Sequence, residues 1–91
     1  MTPDTPDTSV LKFPCVFPIK ILGLANAAFE TAALAIVRQY VDDLREDAIR
    51  TRLSKDGKYM AITVVINAVS REQLDNIYLA LTAAPEVLMA L

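Results

Sequence analysis

The feature that most constrains the fold of this chain is a tight turn followed by a long alternating apolar run. The turn is Ser54-Lys55-Asp56-Gly57-Lys58, and the run covers residues 59–69. An Asp-Gly pair suits the positive backbone angles of a two-residue type I′ turn, which folds one strand back onto the next. The sequence therefore predicts a hairpin. Its predicted pairs are Leu53 with Met60, Thr51 with Ile62, and Ile49 with Val64.

Strand and helix periods appear on either side of this hairpin. Residues 49–54 and residues 16–24 alternate with the period of two that a strand requires. Pro18 lacks an amide hydrogen, which indicates a bulge or an unpaired position early in the first strand. Between these strands, Asn26 is a good cap for a helix over residues 27–41.

The second half of the chain repeats the alternation of helix and strand. Ser70 and Gln73 have the spacing of a capping box and predict a helix that ends near Pro85, before a last strand at residues 87–91. The order is the α+β, ferredoxin-like βαββαβ arrangement. Right-handed crossovers make it a four-stranded antiparallel sheet, order 4-1-3-2, with two helices on one face. The predicted helix-facing residues are Phe17, Ile19, Ile21, Ile49, Leu53, Met60, Ile62, Val64 and Ile66.

Length and composition predict one domain, residues 11–91, after a disordered tail at residues 1–10 that repeats Thr-Pro-Asp. At 54% hydrophobic, the chain exceeds the apolar content of a typical soluble domain, about 45–50%. It has no apolar run near the roughly 18 residues of a membrane helix and no secretion-signal pattern at its start. We therefore expect a cytoplasmic protein.

Charge restricts the partners. The net charge is -2 and the pI is about 4.9, whereas binding to nucleic acid or to an anionic membrane draws on clustered basic residues. An RNA-recognition motif shares this fold, but it needs several aromatic stacking residues on the open sheet face, where the sequence places only Tyr59. We expect neither nucleic acid nor a membrane as a partner.

Few residues could carry out catalysis. The chain has no His, and Cys15 is its only cysteine, followed by Val-Phe-Pro rather than by a helix start or basic residues that would favour a thiolate. Asp42 and Asp43 could chelate a hard cation, but consecutive acids after a helix are usually solvated. We therefore predict no enzyme activity, no metal and no cofactor.

Several segments resemble those of a known family. They are Phe13-Pro14, Ile21-Leu22-Gly23, the turn at 54–59, the run at 62–68 and the closing run at 87–91. Together they resemble the YbeD-like family, small bacterial proteins of unknown function. The resemblance implies a ferredoxin-like domain similar to the ACT regulatory domains, which bind small metabolites and pair through their sheets. Some members of that family are linked to lipoate metabolism, and the resemblance implies the same link for this chain.

The resemblance to ACT domains implies a ligand site at the loop between the first strand and the first helix. This loop contains Gly23, Leu24, Ala25 and Asn26. A glycine permits close approach of a ligand to the backbone, and a helix amino terminus favours anionic groups. The alternative is that Gly23 only allows the turn and Asn26 only caps the helix.

The sheet face away from the helices is the second candidate site. Its predicted residues mix apolar area with two arginines, as partner or self-association surfaces often do, although an antiparallel sheet also tolerates one solvated face. The sequence thus favours a non-catalytic regulatory or protein-interaction domain, with a metabolite sensor as the alternative. The predicted face consists of Lys20, Leu22, Arg50, Arg52, Tyr59, Ala61, Thr63, Val65 and Asn67.

Overall fold

A computed structural model describes residues 12–91, so the predicted tail at residues 1–10 lies outside the described residues. The βαββαβ order is confirmed, and the antiparallel sheet has the predicted order, β2-β3-β1-β4. The elements are β1 (Cys15–Leu24), α1 (Ala27–Tyr40), a short 3-10 helix (Glu46–Ala48), β2 (Ile49–Leu53), β3 (Tyr59–Ala68), α2 (Arg71–Ala83) and β4 (Val87–Ala90).

The core lies between one face of the sheet and the two helices. The two central strands supply alternate residues, and each helix supplies a stripe with a spacing of three or four residues, as an amphipathic helix should. Burying a Leu, Ile or Phe side chain contributes about 1.5–3 kcal/mol, so this layer dominates stability. Its main members are Ile19, Ile21, Ile62 and Val64 from the sheet, Phe29, Ala33 and Val37 from α1, and Leu74, Ile77 and Leu81 from α2.

The start of α2 carries the predicted capping pair. The Ser70 hydroxyl accepts a hydrogen bond from the Gln73 N–H at 3.0 Å. The return bond reaches one residue further than a capping box requires, because the Gln73 amide oxygen accepts from the Val69 N–H at 2.8 Å. The Gln73 amide nitrogen also donates to the Tyr40 carbonyl at 2.8 Å. One side chain therefore joins the start of α2 to the end of α1.

The hairpin has the predicted register but a different turn. Leu53 pairs with Met60 as expected. However, a type I′ turn needs two residues with positive φ, and Gly57, at 73°, is the only such residue within 12–91. The Gly57 N–H donates to the Ser54 carbonyl at 2.9 Å, and the Ser54 N–H donates to the Tyr59 carbonyl at 2.8 Å. The prediction of a type I′ turn was wrong, because the loop covers residues 55–58.

Asp56 stabilises this longer loop with its side chain. Its carboxylate accepts hydrogen bonds from the Ser54 hydroxyl at 2.7 Å and from the Lys58 N–H at 3.1 Å. The Ser54 hydroxyl oxygen in turn accepts from the Tyr59 N–H at 3.0 Å. These bonds favour the ionised carboxylate and lower the pKa of Asp56, with the Ser54 bond as the largest cause.

Pro18 pairs with Val65 in the β1–β3 ladder without a bulge, and only its side towards β4 is unpaired within residues 12–91. The Lys20 N–H donates to the Leu91 carbonyl at 3.0 Å, and the Leu91 N–H donates to the Lys20 carbonyl at 2.8 Å. Backbone groups of alternate residues in a strand point to the same side, so the Pro18 nitrogen, like the Lys20 N–H, points towards β4. It lies beyond Leu91, where β4 offers no acceptor. The irregularity lies instead between Leu22 and Gly23, where β1 pairs with β4.

Leu53, predicted among the helix-facing residues, has a side chain that is 57% exposed. Leu53 does lie on the helix-facing side of the sheet, opposite Met60. However, β2 is an edge strand, and both helices pack over the other strands, α1 on β1 and α2 on β3 and β4. The Leu53 end of β2 therefore extends past the helix layer, whereas Ile49 is half-buried against the core.

We expect the titration of Asp56 to make the stability of the protein depend on pH. Because its pKa in the folded protein is lowered from the ordinary value of 3.8, its ionisation stabilises the fold fully above pH 3.8. That contribution disappears as the pH falls through the folded pKa. The difference in unfolding free energy between wild type and Asp56→Asn should therefore be largest at neutral pH and shrink in acid, as measured by urea unfolding.

A direct measurement is an NMR titration of the Asp56 carboxyl carbon. We expect its midpoint to lie below 3.8 and to rise in Ser54→Ala, since the Ser54 hydroxyl makes the largest contribution to the shift. A midpoint that stays in place when the hydroxyl is removed would show that this hydrogen bond does not form in solution.

Candidate functional site

One face of the sheet is not covered by the helices. The register of the ladders places alternate residues of β1, β2 and β3 on it, and we call this surface the open face. All nine residues predicted for this surface lie there. Neighbours that the sequence prediction did not include are Val16, Pro18, Leu24 and Met89.

Two rows of side chains cross the open face from β2 towards β4. The first row is Arg52, Ala61, Leu22 and Met89, and the second is Arg50, Thr63 and Lys20. Neighbouring strands are about 4.8 Å apart, so the backbones of Arg50 and Lys20 are separated by roughly 10 Å. A shallow hollow of about 150 Å³ lies at the β2 end of the first row. Its lining residues are Leu22, Arg52, Leu53, Ser54, Tyr59, Met60 and Ala61.

Charge on the sheet has one sign. The four strands contain three basic residues, Lys20, Arg50 and Arg52, and no Asp or Glu. Ion pairs in the described part of the chain join Arg45 to Asp47 and Arg71 to Asp75, outside the sheet. Within residues 12–91, none of the three sheet cations is thus paired with a carboxylate. The open face is positive although the whole chain carries a net charge of -2.

Apolar side chains flank these cations on the open face. Tyr59 is 40% exposed, Val65 is 38% exposed and Met89 is 51% exposed. The Lys58 ammonium lies over the Tyr59 ring, 5.5 Å from its centre, and adds a fourth positive group at the hairpin end. The open face combines aromatic, aliphatic and basic groups, the composition that protein interfaces favour.

The loop between β1 and α1 has a structural role at two of its four residues. Gly23 is buried, and a Cβ atom there would overlap the ring of Phe29. The Asn26 carboxamide oxygen accepts a hydrogen bond from the Phe29 N–H at 2.8 Å and so caps α1. The Ala25 N–H donates to the Lys58 carbonyl at 2.9 Å. Leu24 is exposed on the open face, so the loop residues point in different directions.

This packing limits ligand binding at the loop. Close approach to the Gly23 backbone is blocked on the helix side, where the Phe29 ring lies against it. The helix start itself presents Ala27 and Ala28, both exposed and without polar side chains. A ligand site at residues 23–26 stays a prediction, for which the structure adds no polar side chain beyond the capping Asn26.

The remaining candidate groups are dispersed. Cys15 is half-buried against the core at the start of β1, and Asp42 and Asp43 are exposed after α1. No three Cys, Asp or Glu side chains among residues 12–91 gather in a cluster that could hold a metal ion. Neither helix in the described part of the chain has the length and apolar character that crossing a bilayer requires.

Comparison with known proteins identifies the family. The model of the family described as "Protein of unknown function (DUF493)" matches residues 8–91. This chain belongs to the DUF493 family. Among the relatives it matches, a UPF0250 protein from Chromobacterium violaceum is 45% identical over 82 residues, which cover 90% of this chain and 92% of that protein.

Two further relatives agree with this assignment to DUF493. A UPF0250 protein from Paraburkholderia phytofirmans is 43% identical over 83 residues, covering 91% of this chain and 93% of the relative. One from Nitrosomonas europaea is 40% identical over 85 residues, covering 93% and 98%. The resemblance to the YbeD-like family is therefore confirmed, and the family has no established function.

A solved structure supports the fold. The solution structure of protein HP0495 from H. pylori matches with a TM-score of 0.67 over 99% of this chain and 98% of that protein. The sequence identity is 12%, so the similarity shows a shared fold for this DUF493 member. The predicted ferredoxin-like architecture is confirmed.

We expect Gly23→Ala to destabilise the protein by about 1–3 kcal/mol, because the added methyl group overlaps the Phe29 ring. Phe29→Leu should restore part of that loss in the Gly23→Ala background, although it lowers stability by itself. Urea unfolding followed by circular dichroism measures both effects. Strictly additive losses in the double variant would contradict the contact.

Gly57→Ala provides the matched control. No atom lies within 4 Å of a Cβ at that position, but its positive φ of 73° should cost about 1 kcal/mol. Phe29→Leu should give no recovery in that background, since the hairpin tip and the Phe29 ring are not in contact.

Proposed function

We propose that this protein is a non-catalytic regulatory or protein-interaction domain that binds a partner protein through its open face. One observation carries the proposal: the sheet has a continuous exposed surface with three cations and no carboxylate, in a chain that is acidic overall. Exposed apolar groups, including Tyr59 and Val65, flank the cations along β3. Such a surface matches a partner that supplies carboxylates and some apolar area.

The charges favour a different protein over a second copy at this face. Two open faces placed against each other would oppose Lys20, Arg50 and Arg52 of both copies, and like charges in contact are destabilising. The proposal therefore commits to a heterologous partner. Self-association through another surface stays a prediction.

The non-catalytic part of the proposal is supported by composition. The chain has no His, and Cys15 is half-buried in β1 with no basic side chain in a hydrogen bond or ion pair with it among residues 12–91. We also propose a cytoplasmic location, which suits a chain with a single unpaired cysteine.

The alternative function is an ACT-like sensor that binds a small metabolite at the loop between β1 and α1. Its support is the amino terminus of α1, where the helix dipole favours an anionic group. The Phe29 ring against Gly23 reduces the backbone available to such a ligand. The link to lipoate metabolism that the family resemblance implied also stays a prediction.

The test is affinity capture from a lysate of the native cell with two matched double variants. Arg50→Glu with Val65→Glu reverses charge on the open face. Arg38→Glu with Leu79→Glu makes the same changes in charge at exposed positions of the helices. We expect the first variant to capture at least about tenfold less partner than wild type, and the second to capture as much as wild type.

Equal urea midpoints for both variants would show that binding, and not folding, has changed. If wild type and the open-face variant capture the same proteins in the same amounts, the open face is only solvated and the proposed function is wrong.

A further inference from the structure

Within residues 12–91, the outer edge of β2 has backbone groups that no other strand pairs with. β2 is the outer strand of the sheet, and its other side pairs with β3. The Ser54 N–H donates to the Tyr59 carbonyl, so backbone groups of Ser54 and of alternate residues before it point towards β3. The groups of Thr51 and Leu53 therefore point away from the sheet. A further extended strand could pair with them.

The beginning of this edge is already occupied. The Ile49 N–H donates to the Glu46 carbonyl of the 3-10 helix, which closes β2 at its amino end. This bond also confirms the alternation, because Ile49 is two residues before Thr51 and its N–H points away from β3 as well. The accessible edge thus centres on residues 51–53.

A second copy of this chain is a poor occupant of the edge. In the two-fold antiparallel register that pairs all five residues of β2 with a second β2, Thr51 faces its own copy. Arg50 of each copy then faces Arg52 of the other copy, which makes two pairs of opposed cations. Directly opposed like charges on neighbouring strands are destabilising. The same charges favour a strand that carries carboxylates.

From this edge we infer that β2 binds an extended acidic segment of a partner protein, which adds a fifth strand to the sheet. The inference rests on the proposed function and specifies its partner class. The segment alternates, with carboxylates at every second residue on the open-face side and an apolar residue between them on the side of Leu53. Thr51 and Leu53 supply the backbone hydrogen bonds, and Arg50 and Arg52 supply the charge.

The spacing of the side chains supports this pattern. Arg50 and Arg52 are two residues apart on one strand and point to the same side, so they repeat at about 6.8 Å. Carboxylates at positions i and i+2 of an added strand repeat at the same distance, about 4.8 Å beyond β2. An Arg guanidinium binds a carboxylate through two parallel hydrogen bonds. The intervening residue points to the other face, next to Leu53, which is 57% exposed.

The other free edge of the sheet fits this role less well. The part of β1 before Lys20 has no β4 neighbour, but Pro18 there lacks a donor. The β4 strand has no charged residue, so it has no cation that could bind the carboxylates of an added segment. Of the strand edges within residues 12–91, β2 alone combines free backbone groups with cations.

The experiment measures binding of a fluorescent peptide, Ser-Glu-Val-Glu-Val-Glu-Ser, to the full chain by anisotropy at low salt. The control peptide has the same composition, with its three Glu residues adjacent to one another. A single-stranded RNA of 12 nucleotides tests the other class of acidic partner. Amide hydrogen exchange of wild type, with and without the peptide, reports whether backbone hydrogen bonds form at Thr51 and Leu53.

We expect the alternating peptide to bind at least about tenfold more tightly than the control peptide and the RNA. It should slow exchange of the Thr51 and Leu53 amides. Arg52→Glu should weaken binding about tenfold, while Arg38→Glu, a matched change on α1, should have little effect. Thr51→Pro removes a donor that β3 does not use, so it should weaken binding without disturbing the β2–β3 ladder.

Three outcomes would overturn the inference: equal binding of the two peptides, tighter binding of the RNA, or unchanged exchange at Thr51 and Leu53. The exchange result decides the matter even if Thr51→Pro fails to fold. If these tests fail while the open-face double variant still loses its captured partner, the acidic strand is wrong and the proposed function stands. If capture is equal as well, both are wrong.

Discussion

The antiparallel pairing of β1 with β3 determines the two surfaces of this protein. Every residue from Cys15 to Leu24 has a partner in β3, without a shift in register. Because side chains alternate along a strand, this one register sends a row of isoleucines into the core and sends Lys20, Thr63 and their alternate neighbours to the other face. A slip by one residue would exchange the two sets, burying Lys20 and exposing Ile19. The burial of the core thus also fixes what the open face presents.

The end of β1 shows how closely fold and candidate site are linked. Gly23, the second-last residue of β1, lies under the Phe29 ring, while Leu24, the next residue, belongs to the open face. Gly23 resembles a ligand-binding glycine in the sequence, but its packing against Phe29 explains why a glycine is needed there. The open face, by contrast, has no such internal explanation, because no helix or loop within residues 12–91 pairs with its cations.

Much of this arrangement could be predicted from the sequence, because alternation and turn residues are local signals. The strand order, the hairpin register and all nine open-face residues are examples. The exposure of Leu53 and the turn type could not be predicted. Leu53 depends on how far the helices reach across the sheet, and the turn depends on the Asp56 carboxylate binding to Ser54 rather than on Asp56 adopting a positive φ. The packing of the Phe29 ring against the Gly23 backbone is a tertiary contact that no local pattern specifies.

The hydrogen bonds of Gln73 have a consequence for how the molecule opens. This side chain binds Val69 and Tyr40 at once, so the first turn of α2 and the last turn of α1 share a single anchor. Unwinding either helix from that end releases the anchor of the other. The two helices, which the β hairpin separates in the chain, are therefore coupled at these ends. Partial unfolding of one helix also breaks a hydrogen bond that holds the other, at a cost of about 1 kcal/mol.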